Sequence, residues 1–425
     1  MKKVAASEGT RKMIETLIDQ EFDASEMMRA SMRLMIEQAL EAEVDDALGR
    51  GRYERTPASK GYRNGYRKGR VKTAEGTVDF AVPQVTGTDA PFVSRLRDQL
   101  PNHSEELGRM AIEMYARGLS IRDIEKTFTD ENGRCALSRT AASALTEKLW
   151  DDYQAFAARD LSGIDIVYLF VDGVAERLHL GQRREPVLAT WGIAMNGEKH
   201  LLGLYTASKE DADSAREALR DLKERGMRDP ILVASDGAPG LIKAIEEVFP
   251  HSLRQRCLAH RMRNLKAKIP EERQDEVLAM ARAAYQAISP MAARNAADEF
   301  RRLYEREFPS AVACFDDDFE ACIAHLRLPM AQRKSARTTN LLERLFGEER
   351  RRTKVIPHAF GEKAVLKLMF AALIRASQSW RRVSISDFEQ RQLADLRLLL
   401  RAEHTAPATP HQPASLHKFS SKNRS

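Results

Sequence analysis

Cysteine is scarce and unpatterned in this sequence. Its 425 residues contain four, Cys135, Cys257, Cys314 and Cys322, with no CxxC pair and no regular spacing. A disulfide framework is therefore not expected, and a reducing cytosol fits. Long apolar runs are missing too: the greasiest stretches, "IVYLFV" and "LMFAALI", fall far short of the ~18 residues that a membrane span needs. The opening "MKKVAASEGTRK" has charge but lacks the apolar core of a signal peptide. No membrane partner is expected. Some segments also lack one sign of charge. Residues 251–268 hold six bases and no acid, and residues 50–72 hold nine bases against the single Glu54.

The total excess of Lys and Arg over Asp and Glu is only 68 − 62 = 6, so what matters is the segregation. Residues 14–46 carry ten acids against Arg29 and Arg33: an acidic stretch precedes the basic one. The length suggests about three domains at the usual ~150 residues each. Apolar positions from Met28 to Val44 recur at three-and-four spacing, which predicts one amphipathic helix over 10–48 for packing or oligomerisation. Residues 49–103 follow as a basic Gly/Tyr/Arg-rich loop or ribbon, with "GTVDFAVP" a short strand that Pro83 ends.

Over 104–160 the pattern is helical, with Ser120 and Ser138 as caps. Three short helices with a Gly-Leu-Ser turn fit either a DNA-reading helix-turn-helix or a plain three-helix bundle. From 161 to 253 the chain reads as three consecutive strands, a helix, a strand and another helix, with the Asn-Gly of "NGEK" making a hairpin. That is a mixed sheet covered by helices. Residues 254–334 show little strand signal and read as a helical insertion; 335–400 return to the core, and 404–425 form a basic tail expected to be disordered.

Two predicted strands end alike, "YLFVDG" at Asp172 and "LVASDG" at Asp236. Asp-Gly alone is a turn signal, but ligands of α/β sheets gather beyond strand ends, where two acids can share a cation. A hard ion such as Mg²⁺ takes carboxylate oxygens and keeps open positions for chemistry. A third acid should come from a neighbouring helix, and Glu343 in "RTTNLLERLFGEERRRTK" is the candidate, one residue before Arg344 and behind Asn340 as a helix cap. The "DDD" at 316–318 has no strand before it and reads as a solvated turn or helix start. Cys257 and His260 are half a zinc motif, but Cys314, Cys322 and His325 are too irregularly spaced to complete it. The bases around them, Arg261 and Arg263 among them, read as a phosphate-facing element.

Taken in order, "YLFVDG", "ILVASDGAPGL", "RQRCLAHRMRN" and "RTTNLLERLFGEERRRTKVI" closely resemble the mutator-type transposases of bacterial insertion sequences, as do "GYRNGYRKGRVKTAEGTVDFAVPQ" and "MAIEMYARGLSIRDIEK" upstream. The resemblance covers roughly residues 25–395. One departure is Leu258, where relatives commonly carry an aromatic. The resemblance implies an α/β, ribonuclease-H-like catalytic core with an all-helical insertion, a mainly α-helical DNA-binding region before it, and a DDE triad of Asp172, Asp236 and Glu343. It also implies two Mg²⁺ ions, with Mn²⁺ as a substitute, serving both hydrolysis and strand transfer, and it puts Cys257 and His260 near the active site.

The implied partners are terminal inverted repeats, target DNA and further copies of the chain, a homodimer or larger, acting at the nucleoid. Expected DNA contacts are Arg63, Tyr66, Arg67 and Arg70 in the ribbon, Arg261 and Arg263, and Arg351, Arg352 and Lys354. Two rival readings stay open: a nuclease or resolvase of the same fold, and a non-catalytic DNA-binding regulator derived from a transposase.

Overall fold

In a computed structural model of the chain, residues 4–18, 23–54, 61–88, 90–129, 133, 135–176, 185–206, 212–340, 346–347 and 361–405 are described. They divide into two compact units. One comprises the described residues of Met1–Gln154 and Leu366–Ala372, the other those of Ala155–Glu348, Phe360–Val365 and Leu373–Ser425. No helix among the described residues is long and apolar enough to cross a membrane.

The first unit opens with α1 (Ala6–Ile18) and α2 (Ala24–Leu48). One helix was expected over 10–48. Two form, because α2 has a start of its own at Asp23, whose carboxylate accepts the Ser25 backbone N–H at 3.1 Å. β1 (Tyr62–Thr73) and β2 (Gly76–Thr86) make an antiparallel hairpin, and its Val71, Val78, Phe80 and Val82 share a core with Leu40 of α2. Pro83 does not end β2 but lies inside it, opposite Tyr66. A two-stranded ribbon has no interior strand, and its register shifts between Arg63 and Tyr66, so the missing N–H is tolerated there.

The acids of α2 face inward more than their sequence suggests. Glu37, fully buried, accepts from Arg33 at 3.0 Å and from the Ala81 N–H at 2.9 Å, tying α2 to the hairpin. Glu43 accepts the Arg95 N–H at 2.7 Å, at the start of α3 (Arg95–Gln99). Helices α4 (Glu105–Ala116), α5 (Ile121–Thr127) and α6 (Arg139–Ala158) follow, with Ser120 in a capping box with Asp123 and Ser138 accepting the Ala141 N–H at 3.4 Å. Leu107, Ala111, Ile124, Leu137, Ala142 and Leu149 form their common core.

The second unit is built on a five-stranded sheet of β3 (Ile166–Glu176), β4 (Glu185–Ala194), β5 (Lys199–Thr206), β6 (Leu232–Ser235) and β7 (Leu253–Arg256), in the order β5-β4-β3-β6-β7. The first three strands are antiparallel; β6 runs parallel to β3, and β7 parallel to β6. Asn196 and Gly197 turn β4 into β5 as predicted, with Gly197 at φ +82°. α7 (Ala212–Glu224) and α8 (Pro239–Val248) cover one face through Leu219, Leu222, Leu241 and Ile245, packed on Leu169, Val171 and Val233. The register of β4 with β5 slips beside Leu202. There Arg225 donates to the Leu202 carbonyl at 3.1 Å, and Arg159 donates to the carbonyls of Leu201 and Leu202.

β7 corrects the expected boundary of the helical insertion: Leu253–Arg256 pairs with β6, so the helices begin at Leu258. α9 (Leu258–Lys266), α10 (Gln274–Tyr285), α11 (Pro290–Tyr304), α12 (Pro309–Asp316) and α13 (Phe319–Cys322) then enclose their own core around Tyr285, Phe300, Phe315 and Phe319.

Candidate active site

The residues Ile166 to Val171 are all buried, so β3 is a strand apolar on both faces. Its parallel pairing with β6 aligns Tyr168 with Leu232, Leu169 with Val233 and Phe170 with Ala234. Two residues further on, each strand reaches its acid: Asp172 on β3, Asp236 just past β6. The pairing thus brings together, at one end of two adjoining strands, the two carboxylates singled out from sequence.

The two strands nevertheless differ there. β6 stops because Asp236 folds into a turn, its Oδ1 accepting the Ala238 N–H at 3.0 Å, with Gly237 at φ +88° and Pro239 opening α8. β3 was expected to stop at Asp172 but runs on to Glu176, held by antiparallel pairing with β4, where Asp172 faces Ala189. On its other side, β3 has no strand partner past Phe170 among the described residues. Asp172 is 4% exposed, and its Oδ1 accepts the Gly173 N–H at 3.0 Å. It shares its strand face with Phe170, which stacks on Trp191 at 4.1 Å, whereas Leu169 and Val171 face α7 and α8.

Beyond β7, the chain is pinned at Cys257. Its N–H donates to the Ser235 carbonyl at 2.7 Å, and its Sγ accepts from the Thr339 N–H at 3.4 Å and the Thr339 hydroxyl at 3.3 Å. The Leu258 N–H reaches the Arg337 carbonyl at 3.0 Å. Burial pushes the Cys257 thiol up, but hydrogen bonds from His260 and Thr339 outweigh it and leave its pKa below the ordinary value. The segment leading to Glu343 is therefore anchored one residue from Asp236. Asn340 is exposed. Glu343, Arg351, Arg352 and Lys354 lie outside the described residues. Among the described residues, no group of three or more His, Cys, Asp or Glu is disposed to hold a metal ion.

The basic candidates separate into engaged and exposed side chains. Arg63 pairs with Asp45 and donates to the Arg50 carbonyl at 2.9 Å; the Tyr66 hydroxyl donates to Glu41 at 2.8 Å and accepts the Ala6 N–H at 3.1 Å. Arg67 is exposed and makes no hydrogen bond or ion pair among the described residues, and Arg70 is exposed beside Asp79 at 2.7 Å. Arg263 is exposed on α9. Arg261, read from sequence as phosphate-facing, is instead 2% exposed and donates to the carbonyls of Cys314 at 2.7 Å and Asp317 at 2.6 Å and to the Asp317 carboxylate at 2.9 Å.

The same contacts correct the reading of 316–318. Asp318 opens α13 but is not solvated: Arg254 binds its carboxylate, with Nη2 at 2.7 Å from Oδ1. Burial raises the Asp318 carboxyl, and Arg254, Arg256 and Arg261 hold it below its ordinary pKa all the same. No sequence signal pointed to the roles of Thr339, Arg254 or Arg261, because they depend on contacts 53 to 82 residues away along the chain.

A family model described as transposase, mutator family, matches residues 4–383. The transposase for insertion sequence element ISRM5 of Rhizobium meliloti is 30% identical over 376 residues, 87% of this chain and 94% of that protein. The transposase for insertion sequence element IS6120 of Mycolicibacterium smegmatis is 34% identical over 272 residues, 64% of this chain and 84% of that protein. The transposase for IS256 in transposon Tn4001 of Staphylococcus aureus is 27% identical over 332 residues, 77% and 84% respectively. With most of its length matched in this way, the chain belongs to the mutator family of transposases.

Proposed function

We propose that this chain is a DNA transposase that binds the terminal inverted repeats of an insertion sequence and cuts and rejoins DNA at a DDE triad of Asp172, Asp236 and Glu343. The observation that supports the reading is the strand register, in which Asp172 and Asp236 each follow by two residues the paired Phe170 and Ala234. The mixed sheet, followed after β7 by helices among the described residues, supports a ribonuclease-H-like core.

The donor set fits Mg²⁺, with Mn²⁺ as a substitute: both acids offer hard oxygens at the same end of two adjoining strands. When bound, the metal supplies an activated water or 3′-hydroxyl and charge for the leaving oxygen. Asp172 is fixed by a rigid strand, and Asp236 is oriented by the Ala238 N–H. Glu343 is four residues beyond the Thr339 anchor, a reach of at most ~14 Å of chain. Arg67, Arg70 and Arg263 offer exposed charge to backbone phosphates, as Arg351, Arg352 and Lys354 do by sequence. Arg63 and Tyr66 stiffen the ribbon from behind. Joining two element ends calls for a dimer or larger assembly.

The test uses the purified protein, a duplex carrying an element end, and Mg²⁺. Asp172→Asn, Asp236→Asn and Glu343→Gln are each expected to bind the end normally and to lose cleavage by roughly 1000-fold or more. Cleavage that never leads to strand transfer in the unaltered protein would point to a nuclease or resolvase. Undiminished biological activity of Asp236→Asn would point to a non-catalytic regulator.

A further inference from the structure

Three arginines of β7 and α9 are largely buried, with side chains 20% exposed or less, and two of them are spent. Arg254 is bound to Asp318 and, at 3.2 Å, to Glu246. Arg261 is bound to two carbonyls and Asp317. Arg256 differs: its side chain is 12% exposed, yet among the described residues it makes no hydrogen bond, and its closest carboxylates, Asp317 and Asp318, are each 3.6 Å away. The two acids hold the charge in place while leaving its donors unspent. Its nitrogens keep some access to water, so those donors are open to something that approaches from solvent.

Its position says what that is. Arg256 ends β7 in register with Ser235, the residue before Asp236. A Cβ added to Gly237 would fall 1.9 Å from Arg256 Nε and 2.2 Å from Cζ. The head of Arg256 therefore occupies the space that a side chain at 237 would need, directly beside the turn that carries Asp236. Glycine is required there twice, for φ +88° and for that space.

We propose that Arg256 is a catalytic residue whose guanidinium binds the non-bridging oxygens of the scissile phosphate; the proposal rests on Asp236 being part of the reactive centre. The planar fork matches a phosphate in two bonds. Arg256 moves no proton. It offsets the charge on those oxygens as the attacking and leaving oxygens exchange, so its effect belongs to the chemical step more than to DNA affinity.

The experiment compares full-length Arg256→Gln, Arg256→Lys and Asp236→Asn with the unaltered protein in Mg²⁺-dependent cleavage at saturating element-end DNA, with gel-shift affinity and melting temperature measured alongside. Arg256→Gln is expected to cut about 100-fold more slowly, with end affinity changed by less than about threefold. Arg256→Lys is expected to recover about tenfold of that loss, a point charge replacing the fork only in part. If Arg256→Gln cuts at the unaltered rate while Asp236→Asn is inactive, the proposal falls and the transposase reading stands. If Asp236→Asn cuts normally, that reading falls, and the proposal with it. Should Arg256→Gln melt early, Arg256→Lys decides: a stable lysine variant cutting at full rate overturns the proposal, because a lysine satisfies Asp317 and Asp318 as a counter-charge alone.

Discussion

Neighbouring bases that look alike in sequence have opposite consequences once their partners are known. Arg261→Ala should cost about 2–3 kcal/mol in urea unfolding, because it leaves the Cys314 and Asp317 carbonyls without their buried donor. Arg263→Ala, two residues on and exposed, should stay within about 0.5 kcal/mol. Equal losses for the two would contradict the packing described. His325 gives the unit a dependence on acid. It is 1% exposed, its Nδ1 donates to Gln255 Oε1 at 3.1 Å, and burial, aided by Arg337, pushes its pKa down to about 4. The neutral ring is the folded form, so its stabilising effect is intact above the ordinary pKa of 6.5 and is lost as pH falls from 6.5 towards 4. Unfolding free energy should drop by about 3 kcal/mol over that range, and a His325→Gln variant should show a correspondingly flatter pH profile.

At the scale of elements, the hairpin of β1 and β2 turns an apolar side to α2 and leaves Arg67 and Lys68 exposed. Replacing either with alanine should weaken binding to any duplex alike and reduce the salt dependence, log K against log salt, by about 0.9 per residue if each neutralises one phosphate. An unchanged slope would remove the ribbon from the DNA contacts. Such elements were legible in sequence where burial imposes a pattern. The run "IVYLFV" announced β3, Asn-Gly announced the β4–β5 turn, and the two acids stood out because each follows an apolar strand. β7 was not legible, since "LRQR" is four residues long and half of it arginine; it becomes a strand through pairing with β6 and through Arg254, whose charge is met by an acid 64 residues away. Nor could the sequence show that β3 outruns its acid, because strand length there is set by the antiparallel neighbour.

For the molecule as a whole, a protein that joins two DNA ends should be sensitive to mixed assembly. If strand transfer needs two working copies, adding Asp236→Asn protein to the unaltered one should depress the rate more steeply than dilution alone, towards the square of the active fraction in a dimer. A linear fall would mean that each copy works alone. The sheet itself is guarded against forming such contacts. On one margin, Arg159 and Arg225 occupy carbonyls of β5 beside its slipped register; on the other, β7 is covered by α13 and by Gln255, whose amide bonds the Cys322 carbonyl and the His325 N–H. Among the described residues these contacts blunt both margins, so a strand from a second chain would have to displace them before it could extend the sheet into a fibre.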